Sequence, residues 1–204
     1  MKYEKILAER PDKVIYKDGE NALKVFNSNY SKADILNEAL NQARVEETGL
    51  NIPALNQVTM IDGQWVISTK FIEGKTLAQL MDENPEKLDE YLNLFVDLQL
   101  EMNKETVPLL NKLKDKMNRK ISESGYDATT RYELHTRLES MPKHTKLCHG
   151  DFNPSNIIVT DNGTPYILDW SHATPGNASA DLQNIFAVLF RRQEELADKY
   201  LDLF

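Results

Sequence analysis

The chain has 204 residues, of which 41% are hydrophobic and 27% charged, so it is long enough to bury a sizeable core and has a globular composition. Its formal net charge of -8 argues against nucleic acid or an anionic membrane as the main partner. The only cysteine, Cys148, excludes an internal disulfide, and no thiolate metal cluster is indicated.

The N-terminal stretch MKYEKILAERPDK contains no apolar signal-peptide core. No segment approaches the roughly 18 apolar residues that span a bilayer. We therefore expect a cytoplasmic protein without a membrane partner.

The first elements predicted are two strands and a turn. Apolar runs at residues 14–16 and 22–26 flank turn residues 17–20, and residues 9–12 form an earlier turn. Because side chains alternate along a strand, Lys24 shares a face with the first and last residues of its run. A lysine in this setting is a candidate phosphate ligand; the alternative is a solvated lysine at a sheet edge.

A helix and a second hairpin follow. Residues 31–48 have helical spacing with Ser31 as a candidate cap, and residues 58–60 and 65–69 flank another turn. The segment from Lys70 onward then leaves the sheet, and residues 76–138 show apolar positions at intervals of three and four. These patterns predict a sheet with one helix in the N-terminal part of the chain and mainly helical structure from residue 76 onward.

The stretch LCHGDFNPSNIIVTDNGTPYILDWS, residues 147–171, concentrates the chemistry of the chain. His149, Asp151 and Asn156 have the spacing H-x-D-x-x-x-x-N of a kinase catalytic loop. Two short apolar runs around Asp-Asn-Gly predict a hairpin that brings Asn156 close to Asp169. An amide and a carboxylate oxygen suit Mg²⁺, and Asp151 is left to orient and deprotonate a hydroxyl.

A purely structural interpretation of the same residues also exists. In it, His149 packs against the local backbone, Asp151 caps a turn and Asn156 begins a strand. For His149 alone we favour this bracing interpretation and expect no catalytic role.

At these residues the chain resembles a known family. HGDFNPSNII followed by ILDW is similar to the aminoglycoside phosphotransferase and choline kinase group, and Gly150 and Trp170 separate it from the H-R-D and D-F-G of protein kinases. The resemblance implies an α+β fold of the bilobal protein-kinase-like type, with a small antiparallel-sheet N-lobe at residues 1–72 and a mainly helical C-lobe at residues 73–204. It also implies ATP-dependent transfer of a phosphoryl group to a hydroxyl.

The resemblance assigns further roles. Lys24 would hold the α- and β-phosphates, and Glu38 would orient it, with Glu46 and Glu47 as alternatives. The backbone of Lys70, Phe71 and Ile72 would bind adenine. These three residues are candidates for the hinge between the lobes.

Three features complete the comparison with the family. No glycine occurs before Gly19, so a glycine-rich loop over the phosphates is not predicted. Asp181 opens an apolar helix predicted to end at Phe190; the resemblance makes it a brace of the catalytic loop, and the alternative is an acid that stabilises the helix N-terminus. Many relatives continue beyond the equivalent of Phe204, so we expect either a compact member or a truncated one.

The predicted function is transfer of the γ-phosphoryl group from ATP, with Mg²⁺, to a small-molecule hydroxyl. Aminoglycosides, choline-like alcohols and sugars remain open as acceptors, and the oligomeric state is not predicted. Two alternatives are a protein Ser/Thr kinase and a non-catalytic nucleotide-binding scaffold. The short interval between Asp169 and Asp181 argues against the first, and the presence of Asp151, Asn156 and Asp169 argues against the second.

Overall fold

A computed structural model describes residues 3–178, 181, 185, 189 and 194–204. These residues fall into two compact units: one consists of the described residues within 1–95 and 153–172, and the other of those within 96–152 and 173–204. The two predicted lobes, residues 1–72 and 73–204, are each one continuous stretch of sequence, whereas each observed unit combines two stretches. The predicted boundary between residues 72 and 73 stays a prediction.

The first unit contains a five-stranded antiparallel sheet in the order β1-β2-β3-β5-β4. The strands are β1 (Lys5–Arg10), β2 (Lys13–Asp18), β3 (Asn21–Phe26), β4 (Leu55–Ile61) and β5 (Gln64–Lys70). Both predicted hairpins are confirmed. The earlier turn predicted at residues 9–12 is shorter than expected, because β1 extends through Arg10.

One face of this sheet packs against helix α1 (Lys32–Glu46). The Ser31 hydroxyl caps the helix by accepting a hydrogen bond from the Asp34 amide at 3.1 Å, as predicted. Phe26, Ile35, Ala39 and Ile67 are buried together here. On the opposite face a separate apolar cluster is covered by stacked tyrosine rings, and it consists of Leu23, Val25, Val66, Tyr3, Tyr16 and Ile61.

The chain next forms β6 (Lys75–Thr76), α2 (Leu77–Glu83) and a 3-10 turn, Pro85–Lys87. The Thr76 hydroxyl and the Gln79 side chain cap α2 reciprocally. Strand β6 pairs with one strand of a hairpin from much later in the sequence, which completes the first unit. Gly74 precedes β6, and a Cβ added there would lie 2.9 Å from Ile158 Cγ2.

That later hairpin is the one predicted around Asp-Asn-Gly. It consists of β8 (Ile157–Val159) and β9 (Pro165–Ile167), preceded by a 3-10 turn at Pro154–Asn156 and followed by another at Trp170–His172. The Gly163 amide donates to the Thr160 carbonyl at 2.8 Å, and Gly163 has a φ of 83°, which glycine adopts without steric cost.

The second unit is mainly helical. Helix α3 (Leu88–Met102) contains the sequence boundary between the units, and α4 (Leu113–Ser122), α5 (Ala128–Ser140) and α6 (Glu194–Leu203) follow it. Strand β7 (Lys146–Cys148) pairs antiparallel with β10 (Thr174–Gly176). The predicted helix ending at Phe190 falls largely outside the described residues. No helix in the described ranges is long and apolar enough to cross a bilayer.

We expect Gly74→Ala to destabilise the first unit, because the added methyl would overlap Ile158 and the Val159 backbone. Overpacking of this kind typically costs about 1–3 kcal/mol. Urea unfolding would show a lower midpoint. Gly49→Ala is the matched control, because its Cβ would meet nothing within 4 Å; equal midpoints for the two variants would contradict the packing argument.

Candidate functional site

The first unit contains a cavity of about 620 Å³. One wall is the face of the sheet that carries Lys24. The residues that flank hairpin β8–β9, namely Asn156, Leu168 and Asp169, supply another wall. The predicted hinge residues line the same cavity. The charged residues around it are Lys5, Arg10, Lys13, Lys17, Lys24, Lys70, Glu38, Glu73 and Asp169.

Lys24 forms ion pairs with two of the acidic residues at the cavity. It belongs to β3, an interior strand, and its side chain is only 15% exposed, so the alternative of a solvated edge lysine is wrong. Its Nζ donates to Glu38 Oε1 and, at 3.1 Å, to Asp169 Oδ1. Burial by itself lowers the pKa of Lys24, but the charges of Asp169 and Glu38 outweigh it and hold that pKa above its usual value. The ammonium is therefore charged at neutral pH.

Glu38 is the helix acid that pairs with Lys24, as the sequence predicted. The first alternative, Glu46, instead accepts a hydrogen bond from the Leu55 amide at 2.6 Å. The second, Glu47, is an exposed residue at the helix C-terminus. The position of Glu38 explains why it, and not Glu46 or Glu47, pairs with Lys24: it is a buried residue on the sheet-facing side near the middle of α1.

Asp169 forms ion pairs with two lysines, and the sequence did not predict one of them, Lys13, as a site residue. Lys13 Nζ lies 3.7 Å from Asp169 Oδ2, and Lys24 holds the other oxygen. Burial alone would raise the pKa of Asp169, but Lys24 and then Lys13 outweigh it, so the carboxyl has a pKa below its usual range. Strand alternation is the sequence signal that could have found Lys13. Ile15 pairs directly with Lys24, and Lys13, two residues before Ile15 on β2, lies on the same face of the sheet.

The backbone of Asp169 adopts a left-handed conformation, with a φ of 58°. A residue other than glycine in this region typically costs about 1–3 kcal/mol, and such strain often accompanies a functional position. Neighbouring bonds fix the conformation: the Leu168 amide donates to the Asn156 carbonyl at 2.8 Å, and the Trp170 indole donates to the Ile167 carbonyl at 3.1 Å. The strain turns the Asp169 carboxylate away from the direction that regular strand geometry would impose.

Asn156 and Asp169 have the chemistry of a magnesium site. Both line the cavity, and the backbone bond between Asn156 and Leu168 holds the two segments together. Mg²⁺ usually takes one or two protein oxygens and completes its octahedron with phosphate oxygens and water. Within the described ranges, no three or more His, Cys, Asp and Glu side chains cluster closely enough to hold a metal. Asn156 and Asp169 are residues on this wall whose side-chain oxygens could contribute to such an ion.

Lys70, Phe71 and Ile72 lie along the cavity wall where β5 ends. The Lys70 amide donates to the Ala54 carbonyl and the Phe71 amide to the Glu20 carbonyl, both at 2.8 Å. The Ile72 amide donates to no backbone carbonyl among the residues described. A backbone donor in this position is available to a ligand.

The catalytic-loop motif of the second unit is organised by Asp181. Its carboxylate is almost fully buried and accepts hydrogen bonds from the His149 amide at 2.9 Å and the Gly150 amide at 2.7 Å. Asp181 therefore braces the loop, one of its two predicted roles. The other role depends on helix residues outside the described ranges.

His149 and Asp151 differ in exposure. His149 is fully buried, packs edge-on against Phe152 and accepts a hydrogen bond from the Asp151 amide through Nδ1 at 3.2 Å. His149 therefore braces the backbone of the loop, as expected, and the absence of a catalytic role for it stays a prediction. The Asp151 residue is exposed. Since Asp151 and the pair Asn156–Asp169 belong to different units, the catalytic role of Asp151 stays a prediction.

Comparison with known proteins gives a family. The sequence model described as "Phosphotransferase enzyme family" matches residues 13–204. No protein in the curated collection matches the chain.

Solved structures with a similar fold include an aminoglycoside-3'-phosphotransferase of type VIII, with a TM-score of 0.66, 15% identity and coverage of 94% of this chain and 80% of that one. The aminoglycoside phosphotransferase APH(4)-Ia, in a ternary complex with ADP and hygromycin B, has a TM-score of 0.65, 17% identity and coverage of 96% and 75%. The choline kinase LicA from Streptococcus pneumoniae has a TM-score of 0.60, 15% identity and coverage of 98% and 75%. The predicted α+β, protein-kinase-like fold class is confirmed.

Replacing Asp181 with alanine should destabilise the catalytic loop, because the His149 and Gly150 amides lose their acceptor. An unsatisfied buried amide costs about 1–3 kcal/mol. Burial raises the pKa of the nearby Cys148 thiol to about 12, and its Sγ donates to the Asn177 carbonyl at 3.1 Å. We therefore expect Cys148 to react slowly with a thiol reagent in the parent and faster in Asp181→Ala.

The matched control is Asp198→Ala, which removes an exposed aspartate from α6. Urea unfolding and the rate of Cys148 labelling at pH 8 measure the two effects. An unchanged unfolding midpoint and labelling rate in Asp181→Ala would contradict the bracing role.

Proposed function

Because the chain belongs to the phosphotransferase enzyme family, we propose that it transfers the γ-phosphoryl group of ATP to a hydroxyl of a small molecule. The observation that carries the proposal is the buried Lys24 ammonium, held by Glu38 and Asp169 on the wall of a cavity with further cations. A fixed cation of this kind is suited to the α- and β-phosphates of a nucleotide.

The hinge residues complete the proposed nucleotide site. The Ile72 amide can donate to an adenine nitrogen, and Lys70 and Phe71 are held in place by their bonds to neighbouring backbone. Because these bonds orient the segment, the Ile72 amide has a defined direction, which suits a planar base that forms directional hydrogen bonds. Lys24 would hold the phosphates of the same nucleotide.

Asn156 and Asp169 would hold the magnesium ion, which when bound neutralises charge on the phosphate oxygens. Asp151 would orient the acceptor hydroxyl and accept its proton. The hydroxyl oxygen then bonds to the γ-phosphorus while the bond from that phosphorus to the β–γ bridging oxygen breaks. ADP leaves with the electron pair of the broken bond.

The acceptor class is proposed from related proteins. Structures of similar fold are named for aminoglycoside phosphotransferases and a choline kinase, and one contains streptomycin with ATP. We therefore propose a panel of aminoglycosides, choline-like alcohols and sugars as candidate acceptors. A non-catalytic nucleotide-binding protein is the alternative that this panel tests.

Magnesium-dependent stabilisation by ATP tests the nucleotide site first. At a ligand concentration 100 times its dissociation constant, the stabilisation is about 2.7 kcal/mol, or roughly 5–10 °C in the midpoint of thermal unfolding for a chain of this size. We expect this shift in the parent and its loss in Asp169→Asn, since asparagine tolerates the left-handed backbone but lacks the charge.

Asp161→Asn is the control, because Asp161 is an exposed turn residue of the same hairpin. Retention of the full shift in Asp169→Asn would show that the metal and nucleotide bind elsewhere. Absence of any shift in the parent with millimolar ATP would oppose the proposed function itself.

The role of Asp151 is tested by Asp151→Asn. We expect this variant to bind Mg-ATP as the parent does and to lose about 10²–10⁴-fold in turnover, the usual contribution of a general base. ADP release with each member of the acceptor panel measures turnover, and the thermal shift measures binding. Equal turnover in the two proteins would exclude Asp151 as the base, and no turnover in the parent with any acceptor would favour the non-catalytic alternative.

A further inference from the structure

The turn between β1 and β2 borders the proposed nucleotide site, since the residues on either side of it, Arg10 and Lys13, line the cavity. It consists of Pro11 and Asp12, and proline has no backbone N–H to offer an anion. Asn27 fixes this turn: its amide donates to the Asp12 carbonyl and its side-chain nitrogen to the Pro11 carbonyl, both at 3.0 Å. These two bonds tie the turn to the residue that follows β3, and Pro11 removes one of the backbone amides that a glycine-rich loop would offer to phosphates.

Lys13 follows the turn directly and adds a side-chain cation to the cavity wall. Its side chain is 15% exposed, and its Nζ lies 3.7 Å from Asp169 Oδ2 inside the cavity. Ile15 and Lys17, at two-residue intervals along the same strand, also line the cavity. Lys13 is thus part of the cavity wall by strand geometry rather than by a chance side-chain rotamer.

The contacts of the two lysines differ. Lys24 pairs with both Glu38 and Asp169, whereas in the described part of the chain the ion pair of Lys13 is with Asp169 alone. At 3.7 Å that pair exceeds hydrogen-bond distance. If Asp169 serves a metal ion, Lys24 keeps Glu38, and the Lys13 charge becomes available to another anion close by.

The charge around the cavity agrees with an anionic ligand. Six of the side chains that line it are cationic and three are anionic, although the whole chain has a net charge of -8. Such a local excess of one sign attracts ligands of the opposite sign. A polyphosphate is the ligand that would neutralise it.

We propose that Lys13 binds the terminal phosphates of the nucleotide and replaces the backbone cradle of a glycine-rich loop. This inference rests on the proposed function, since it concerns the same nucleotide. Lys13 is a substrate-binding residue in this scheme, distinct from Lys24, and it makes affinity depend on the number of phosphates more than on the base.

Calorimetric binding of adenosine, ADP and ATP to the parent and to Lys13→Gln tests the proposal at fixed magnesium concentration and ionic strength. We expect Lys13→Gln to bind ATP at least tenfold more weakly and to bind adenosine as the parent does. Lys13→Arg should recover most of the ATP affinity, because it restores the charge.

Arg10→Gln is the matched control: Arg10 is a cation of the same hairpin that also lines the cavity, but its guanidinium donates to the Glu9 carbonyl at 3.1 Å. We expect its effect on ATP affinity to be below threefold. Equal losses of ATP affinity in Lys13→Gln and Arg10→Gln would overturn the proposal, because they would indicate that any cation at the cavity attracts ATP through the general electrostatic potential. A parallel loss of adenosine and ATP affinity in Lys13→Gln would also overturn the proposal, because it would indicate a damaged fold.

The same binding data distinguish a failure of the Lys13 role from a failure of the proposed function. Unchanged ATP affinity in Lys13→Gln, with clear binding by the parent, defeats the role of Lys13 and leaves the proposed function standing. A parent that binds neither ADP nor ATP defeats both.

Discussion

The Lys24 ammonium, held between Glu38 and Asp169, is the interaction on which the first unit depends. It connects an interior strand, the helix packed on the sheet, and the hairpin that begins more than a hundred residues later in the chain. A buried ammonium without partners would be strongly destabilising, so the three segments must keep their positions for the charge to be tolerated. The same requirement presents a fixed cation to a ligand in the cavity.

Asp169 is constrained from two sides. Its left-handed backbone is held by bonds of the flanking residues, and its carboxylate is shared by Lys24 and Lys13. A strained residue with an ionised side chain is costly to maintain in a protein that gains nothing from it. In the proposed function, Asp169 would exchange its lysine contacts for a metal ion. The lysines would then bind phosphates, and this exchange is also the basis of the role proposed for Lys13.

In the second unit, side chains satisfy backbone amides at the sharp turn around Gly150. Asp181 accepts hydrogen bonds from two successive amides, so the sharp turn at Gly150, with a φ of 83°, does not leave buried donors unpaired. His149 adds a bond to the next amide along the chain. Three consecutive amides are thereby satisfied by side chains, which holds the exposed Asp151 in a defined backbone conformation.

Local patterns in the sequence determined the strands around residues 14–26, the cap at Ser31, the Asp-Asn-Gly hairpin and the family motif, because alternation, capping and turn chemistry act over a few residues. Lys24 could be placed on a face by the same alternation. Only the tertiary structure decided that Glu38 and not Glu46 is its partner, and that Lys13 approaches Asp169. Those contacts depend on strand order and on how a helix is rotated against the sheet, and neither is encoded within a short window of residues.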